Sequence, residues 1–159
     1  MHVPTYLQFD GRCEEAFEFY RGALGAESIM LMRFKDAPAG GPSNEGCAGG
    51  PAPDGNKIMH MAFRIGETMI LASDGHCQGQ PSFQGFSLAL QPSDTAEAER
   101  LFSALAEGGQ VQMPLTETFF SPRFGMVADR FGISWMIVVA AQGPIEAPAR
   151  AGEAEKAGA

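Results

Sequence analysis

The chain has 159 residues, room for one compact domain. A globular chain of that size buries roughly 68–70% of its unfolded surface and needs neither a metal nor a disulfide to fold. Its 11 Lys and Arg against 19 Asp and Glu give a formal charge of -8, which repels a phosphate backbone and argues against a nucleic-acid partner. No apolar run reaches the length of a bilayer span, and the first residues lack the order of a signal peptide, so a membrane partner is not expected. Cys13, Cys47 and Cys77 are odd in number and contain no Cys-x-x-Cys pair, which suits reduced cysteine and a cytoplasmic protein.

In chain order, Val3 to Phe9 alternates, with Val3, Thr5, Leu7 and Phe9 on one face and Pro4, Tyr6 and Gln8 on the other. Asp10-Gly11 turns into a predicted helix carrying Cys13, Phe17, Tyr20 and Leu24 at helical spacing, stopped by Gly25. A strand is predicted at 28–34. Residues 36–57 hold six Gly and four Pro and read as a long mobile loop. Lys57 to Ile65 then alternates, with Met59, Met61, Phe63 and Ile65 facing away from Ile58, His60, Ala62 and Arg64. Gly66-Glu67 turns it into a second strand, 68–73.

The order then repeats. Phe86, Leu88 and Leu90 mark a strand over 86–90, and Asp94 with Glu97 three residues on is a capping box opening a helix. Ala98, Leu101, Phe102 and Leu105 line one face of that helix, and Gly108-Gly109 ends it. Strands follow near 111–118, 124–128 and 134–139. The tail from 140 to 159 is rich in Ala, Gly, Pro and Glu and is expected to be flexible. Arg64-Ile65-Gly66-Glu67-Thr68 echoes Arg130-Phe131-Gly132-Ile133-Ser134, so the chain reads as a tandem strand–helix–three-strand repeat. Residues 3–74 form the first copy, with 36–57 inserted, and residues 84–139 form the second, within one domain spanning 1–139.

Phe9-Asp10-Gly11, Glu14-Glu15-Ala16, Phe19-Tyr20, Leu24-Gly25, Met59-His60, Ala72-Ser73-Asp74, Asp129-Arg130-Phe131-Gly132 and Trp135-Met136 occur in that order. In this respect the chain resembles the vicinal oxygen chelate superfamily of glyoxalase I, extradiol dioxygenases and bleomycin-resistance proteins. It is most similar to the PhnB-like branch, described as 3-demethylubiquinone 3-methyltransferase-like. The resemblance implies an α+β fold of two tandem βαβββ modules, forming a cupped mixed sheet with helices on the convex side. It also implies a homodimer. Metal enzymes of the superfamily hold a divalent ion with His, Gln or Glu from four strands. Carried over singly, those positions fall at Pro4 or Thr5, Leu71, Ser87 or Phe86, and Met136. None suits a hard or borderline divalent ion, so no metal or other cofactor is expected there. Nor does a Gly-rich turn follow the first strand to seat a methyl donor. Gly50 to Lys57 lacks the Gly-Lys-Ser/Thr of a phosphate loop.

By alternation Tyr6, Gln8, His60, Ser87 and Ser134, together with Trp135, are expected to line the cup and bind an unknown small organic molecule. His60 is also the candidate catalytic residue, because imidazole serves as acid or base near neutral pH. Against this stands a histidine merely satisfied by its neighbours in a sheet, just as Trp135 could be core. Cys13 reads as a small buried hydrophobe, while Cys77 beside His76 makes a poor nucleophilic pair. Three readings follow: a metal-free binding protein, to which an acidic chain would attract a cationic ligand; a lyase, isomerase or dioxygenase using His60 or a displaced metal site; and a non-catalytic dimeric scaffold.

Overall fold

The computed structural model describes residues 1–38, 54–75 and 81–141. It divides into two compact units, the first ending at Phe83 and the second beginning at Gln84. The first contains β1 (Thr5–Gln8), α1 (Cys13–Leu24), β2 (Glu27–Arg33), β3 (Ile58–Ile65) and β4 (Thr68–Ser73). The second contains β5 (Leu88–Leu90), α2 (Thr95–Ala106), β6 (Gln110–Thr116), β7 (Phe124–Ala128) and β8 (Ser134–Val138). The sheet orders are β1-β4-β3-β2 and β5-β8-β7-β6, the same topology twice. In each, the first strand runs parallel to the last and the other pairs are antiparallel. The fold is α+β, two βαβββ modules, as the resemblance implied.

Each helix forms where the sequence pattern places it. α1 buries Cys13, Ala16, Phe17, Tyr20 and Ala23, a stripe at three- and four-residue spacing. Gly25 adopts φ 69, and the N–H of Ala26 reaches the carbonyl of Tyr20 at 3.2 Å, closing the helix in a left-handed cap. α2 opens on the Asp94 carboxylate, which accepts from the N–H of Glu97 at 2.8 Å. The Glu97 carboxylate turns back not to Asp94 but to Ser93, accepting from its N–H at 2.8 Å and its hydroxyl at 2.9 Å. Those donors hold the Glu97 carboxyl below its ordinary range.

Ring contacts fix which sheet face each helix covers. Phe17 and Tyr20 of α1 lie 5.6 and 6.2 Å from the ring of Phe63. Leu7, Met61, Phe63, Ile70 and Ala72 are buried on that side. In the second unit Val127, Trp135 and Ile137 are buried with Ala98, Leu101 and Leu105 of α2.

Two sequence readings need correction. The alternation on β3 set Ile58 against Met61 and Phe63, yet all three are buried. Met32 opposes His60 while Arg33 opposes Ile58, so Met59 is an extra, bulged residue. The bulge shifts the phase and returns Ile58 to the helix side. The strand expected over 86–90 is only Leu88–Leu90, and Phe86 is exposed.

The expected loop at 36–57 is tied at both ends. Phe34–Asp36 forms a single 3-10 turn with Phe34 buried, and the N–H groups of Phe34 and Lys35 donate to the carbonyls of Lys57 and Gly55. Its middle, 39–53, lies outside the described residues, as do Cys47, His76, Cys77 and the tail from 142.

Candidate functional site

The face of each sheet opposite its helix gathers most of the expected site residues. On the first sheet Tyr6 opposes Leu71, Leu71 opposes Ala62, and Ala62 opposes Met30. Because directly opposed residues share a face, this row is the helix-free one. Gln8 opposes Ser73 in the next row, and His60 opposes Met32. The Met59 bulge leaves His60 on this face while Ile58 turns to the core.

The phenol oxygen of Tyr6 and Nδ1 of His60 stand 3.3 Å apart, with ring centroids separated by 5.8 Å. Tyr6 is 45% exposed and His60 half-buried, so both can meet a ligand. Met30 and Met69 are exposed on the same sheet face. A phenol and an imidazole in hydrogen-bond reach can exchange a proton or jointly orient a polar ligand atom. Thioethers on the same face add an adaptable apolar surface. Arg64, at the end of β3, is engaged by Glu27 at 2.9 Å.

On the second sheet the Ser87 and Ser134 hydroxyl oxygens are 2.9 Å apart, and the Ser134 hydroxyl donates to Oε1 of Gln112 at 2.8 Å. Sequence reasoning missed Gln112, because β6 is irregular there. Val111 opposes Val127 and Met113 opposes Met126, leaving Gln112 as the extra residue of a bulge. Gln112 sits between Val111 and Met113 in an unbroken alternation, so the sequence carries no signal of the bulge.

Trp135 is not part of this group. It is 1% exposed, on the helix side, and its indole N–H donates to Oδ2 of Asp129 at 2.8 Å. Neighbours on a strand point to opposite faces, so Ser134 and Trp135 cannot share one. The register also makes Trp135 the counterpart of buried Ile70, since each lies in the row of the helix-facing residue of the middle strand.

The positions at which the superfamily resemblance places metal ligands are paired by the repeat. Thr5 opposes Ile70 and Leu88 opposes Trp135, so Pro4 corresponds to Ser87 and Leu71 to Met136. None of these four carries a carboxylate or imidazole, and they do not fit a hard divalent ion. Among the described residues no three His, Cys, Asp or Glu side chains cluster as a metal group. Likewise β1 enters α1 through Asp10-Gly11-Arg12 with one glycine, and both sheets are mixed. That arrangement does not fit the Gly-rich turn of a parallel sheet which seats a nucleotide-like methyl donor. Among the described residues no helix is long and apolar enough to cross a membrane.

Two modules of this topology, each with a helix on one face and polar groups and thioethers on the other, make a tandem glyoxalase-like fold. Residues 1–138 match the family described as 3-demethylubiquinone-9 3-methyltransferase, and the chain belongs to that family. It is 36% identical over 147 residues to Protein YjdN of Escherichia coli (strain K12), covering 92% of this chain and all of that one. Among solved structures it is similar to protein PA1353 from Pseudomonas aeruginosa, with a TM-score of 0.74 and 40% identity over 88% of this chain and 98% of that one. A glyoxylase/bleomycin resistance protein/dioxygenase domain from Frankia sp. EAN1pec shares the fold, with a TM-score of 0.60 at 15% identity over 91% and 95% of the two chains. The chain thus has the fold of that glyoxylase/bleomycin resistance protein/dioxygenase domain.

Proposed function

We propose that this chain binds a small organic molecule on the helix-free face of its first sheet, without a His- or Glu-ligated divalent ion. One observation carries the reading: the Tyr6 hydroxyl and His60 imidazole meet at 3.3 Å on a half-exposed surface. Gln8 and Met30 extend the surface with an amide and a thioether. The ligand it suits has a flat or flexible apolar body and at least one hydrogen-bonding atom. The net charge of -8 favours a cationic one.

The test is titration of the full chain with a panel of small aromatic and cationic compounds, followed by amide chemical shifts. Binding is expected to move the shifts of Tyr6, Gln8 and His60, and Tyr6→Phe with His60→Asn is expected to weaken it about tenfold. Saturable binding that leaves those three amides unmoved overturns the reading.

The same hydrogen bond supports a second reading, a lyase or isomerase in which His60 moves a proton. Turnover of a bound compound that disappears in His60→Asn while binding persists decides for the enzyme. We further infer a cytoplasmic protein that forms a homodimer, and the apolar, exposed Ile29 and Leu31 on edge strand β2 support the dimer. A monomer in light scattering overturns the dimer.

A further inference from the structure

The helix-free face of the second sheet carries an arrangement that the binding surface on the first does not use. Met113 of β6 opposes Met126 of β7, and Met126 opposes Met136 of β8. Three thioethers from three consecutive strands therefore stand in one row. Their face is fixed independently: Ser134, two residues before Met136, bonds Gln112 across the sheet, while the intervening Trp135 is buried toward α2.

Adjacent strands lie ~4.8 Å apart, with directly opposed Cβ atoms about 4.5–5.5 Å apart. Three rotatable bonds in each methionine let neighbouring sulfurs converge on one ion from that spacing. Thioether sulfur is soft and uncharged, and it selects Cu(I) over hard or borderline divalent ions. The row is reachable: Met113 is 43% exposed and Met126 and Met136 are half-buried, unlike the core Met61, which is fully buried.

The repeat supplies an internal comparison. In the first sheet the same three positions are Met30, Ala62 and Leu71, since Met30 opposes Ala62 and Ala62 opposes Leu71. The fold is thus built equally well with one thioether in that row as with three. Packing alone does not call for the triad.

We propose that Met113, Met126 and Met136 form a three-thioether site for a soft monovalent cation, Cu(I) or Ag(I). The site is independent of small-molecule binding at Tyr6 and His60, and either can fail without the other. Because no ligand carries a titratable proton, occupancy does not vary with pH in the neutral range.

The experiment is NMR of the full chain labelled at the methionine methyl groups and titrated with silver nitrate. Cys47 and Cys77 are first blocked by alkylation of the native protein, since thiolates outcompete thioethers. Cys13 is buried and stays protonated. The methyl signals of Met113, Met126 and Met136 are expected to move together and saturate at one Ag(I) per chain, with Met30, Met32 and Met69 unmoved. Met126→Leu conserves volume and is expected to weaken binding at least tenfold, whereas Met69→Leu leaves it unchanged. Shifts spread evenly over the exposed methionines, or Met126→Leu binding as tightly as the parent, overturn the proposal.

Discussion

The indole N–H of Trp135 donates to one oxygen of a buried carboxylate, Oδ2 of Asp129, at 2.8 Å. The other oxygen accepts from the backbone N–H groups of Phe131 and Ile133 at 2.8 and 3.1 Å. One side chain thereby shapes the β7–β8 turn and anchors the largest core residue of the second module. Asp129→Ala leaves three donors without their acceptor, two of them buried, and each stranded donor costs about 1–3 kcal/mol. The expected loss is about 3–5 kcal/mol, with a smaller loss in Asp129→Asn, which keeps one acceptor oxygen. Urea unfolding followed by the fluorescence of the sole tryptophan measures both. Equal midpoints for the parent and Asp129→Ala would show the carboxylate to be dispensable.

Asp129 also shows where sequence legibility ends. Helical spacing located both helices and alternation located β1, β3 and β5, because burial of one face is written into residue spacing. The remaining strands were expected from their order in the repeat, and β2 and β6 hold no buried residue to mark them. The Asp94–Glu97 signature marked the start of α2 correctly, and Gly25 the end of α1. Buried carboxylates leave no such mark, since their partners are backbone N–H groups shared by every residue. Asp74 is another, accepting from the N–H of Cys13 at 2.8 Å and of Ile58 at 2.7 Å. Bulges are equally silent. An extra residue at Met59 kept His60 where alternation put it but moved Ile58 to the core, and another at Gln112 added a site residue. The echo between Gly66 and Gly132 was real in conformation, with φ of 57 and 87, but not in turn length. Ile65 pairs with Thr68, whereas Ala128 pairs with Ser134, across a longer turn.

Two glycines outside the positive-φ set carry opposite expectations. A Cβ on Gly109 would sit 2.2 Å from the carbonyl oxygen of Ala128 and 3.0 Å from Cα of Asp129. Both obstacles are backbone, so β6 cannot begin beside β7 without displacement. A Cβ on Gly22, within α1, meets nothing within 4 Å. Gly109→Ala is expected to destabilise by about 2 kcal/mol or more, as overpacking does. Gly22→Ala is expected to stabilise by about 0.5–1 kcal/mol through helix propensity. Thermal melts of the two variants should therefore move in opposite directions, and a shared direction would contradict the packing described.

Arg33 at the end of β2 clasps the Glu14 carboxylate in the first turn of α1 with both terminal nitrogens, at 2.7 and 3.0 Å. Hydrogen bonding from Arg33 leads in drawing the Glu14 carboxyl below its ordinary 4.5. In the folded chain this carboxyl takes its proton at lower pH than in the unfolded chain. Its contribution is therefore present above pH 4.5 and lost as pH falls through the folded value. Glu14 is exposed and Arg33 partly so, and solvent screening keeps the contribution small. Glu14→Gln is expected to flatten the acid limb of the stability curve just below pH 4.5, with the neutral region nearly unchanged. An acid limb as steep as the parent's would place the proton uptake elsewhere.

Cys13 behaves in the opposite sense at alkaline pH. Burial, followed by the nearby charges of Asp74 and Glu14, pushes its thiol up to about 12. Below the ordinary thiol value of 9.0 the thiol is protonated in folded and unfolded chains alike, and its share of stability is fully present. As pH rises from there toward 12, the unfolded chain ionises while the folded chain does not, so stability falls by up to about 1.4 kcal/mol per pH unit. Cys13→Ala removes this dependence and is expected to lose less stability than the parent between pH 9 and 11, although it is weaker at pH 7 from the small void it leaves. Native alkylation at pH 8 should also leave Cys13 unmodified, because the reacting species is the thiolate. Rapid labelling of Cys13 under native conditions would mean that α1 opens readily, and would contradict its seat against Asp74.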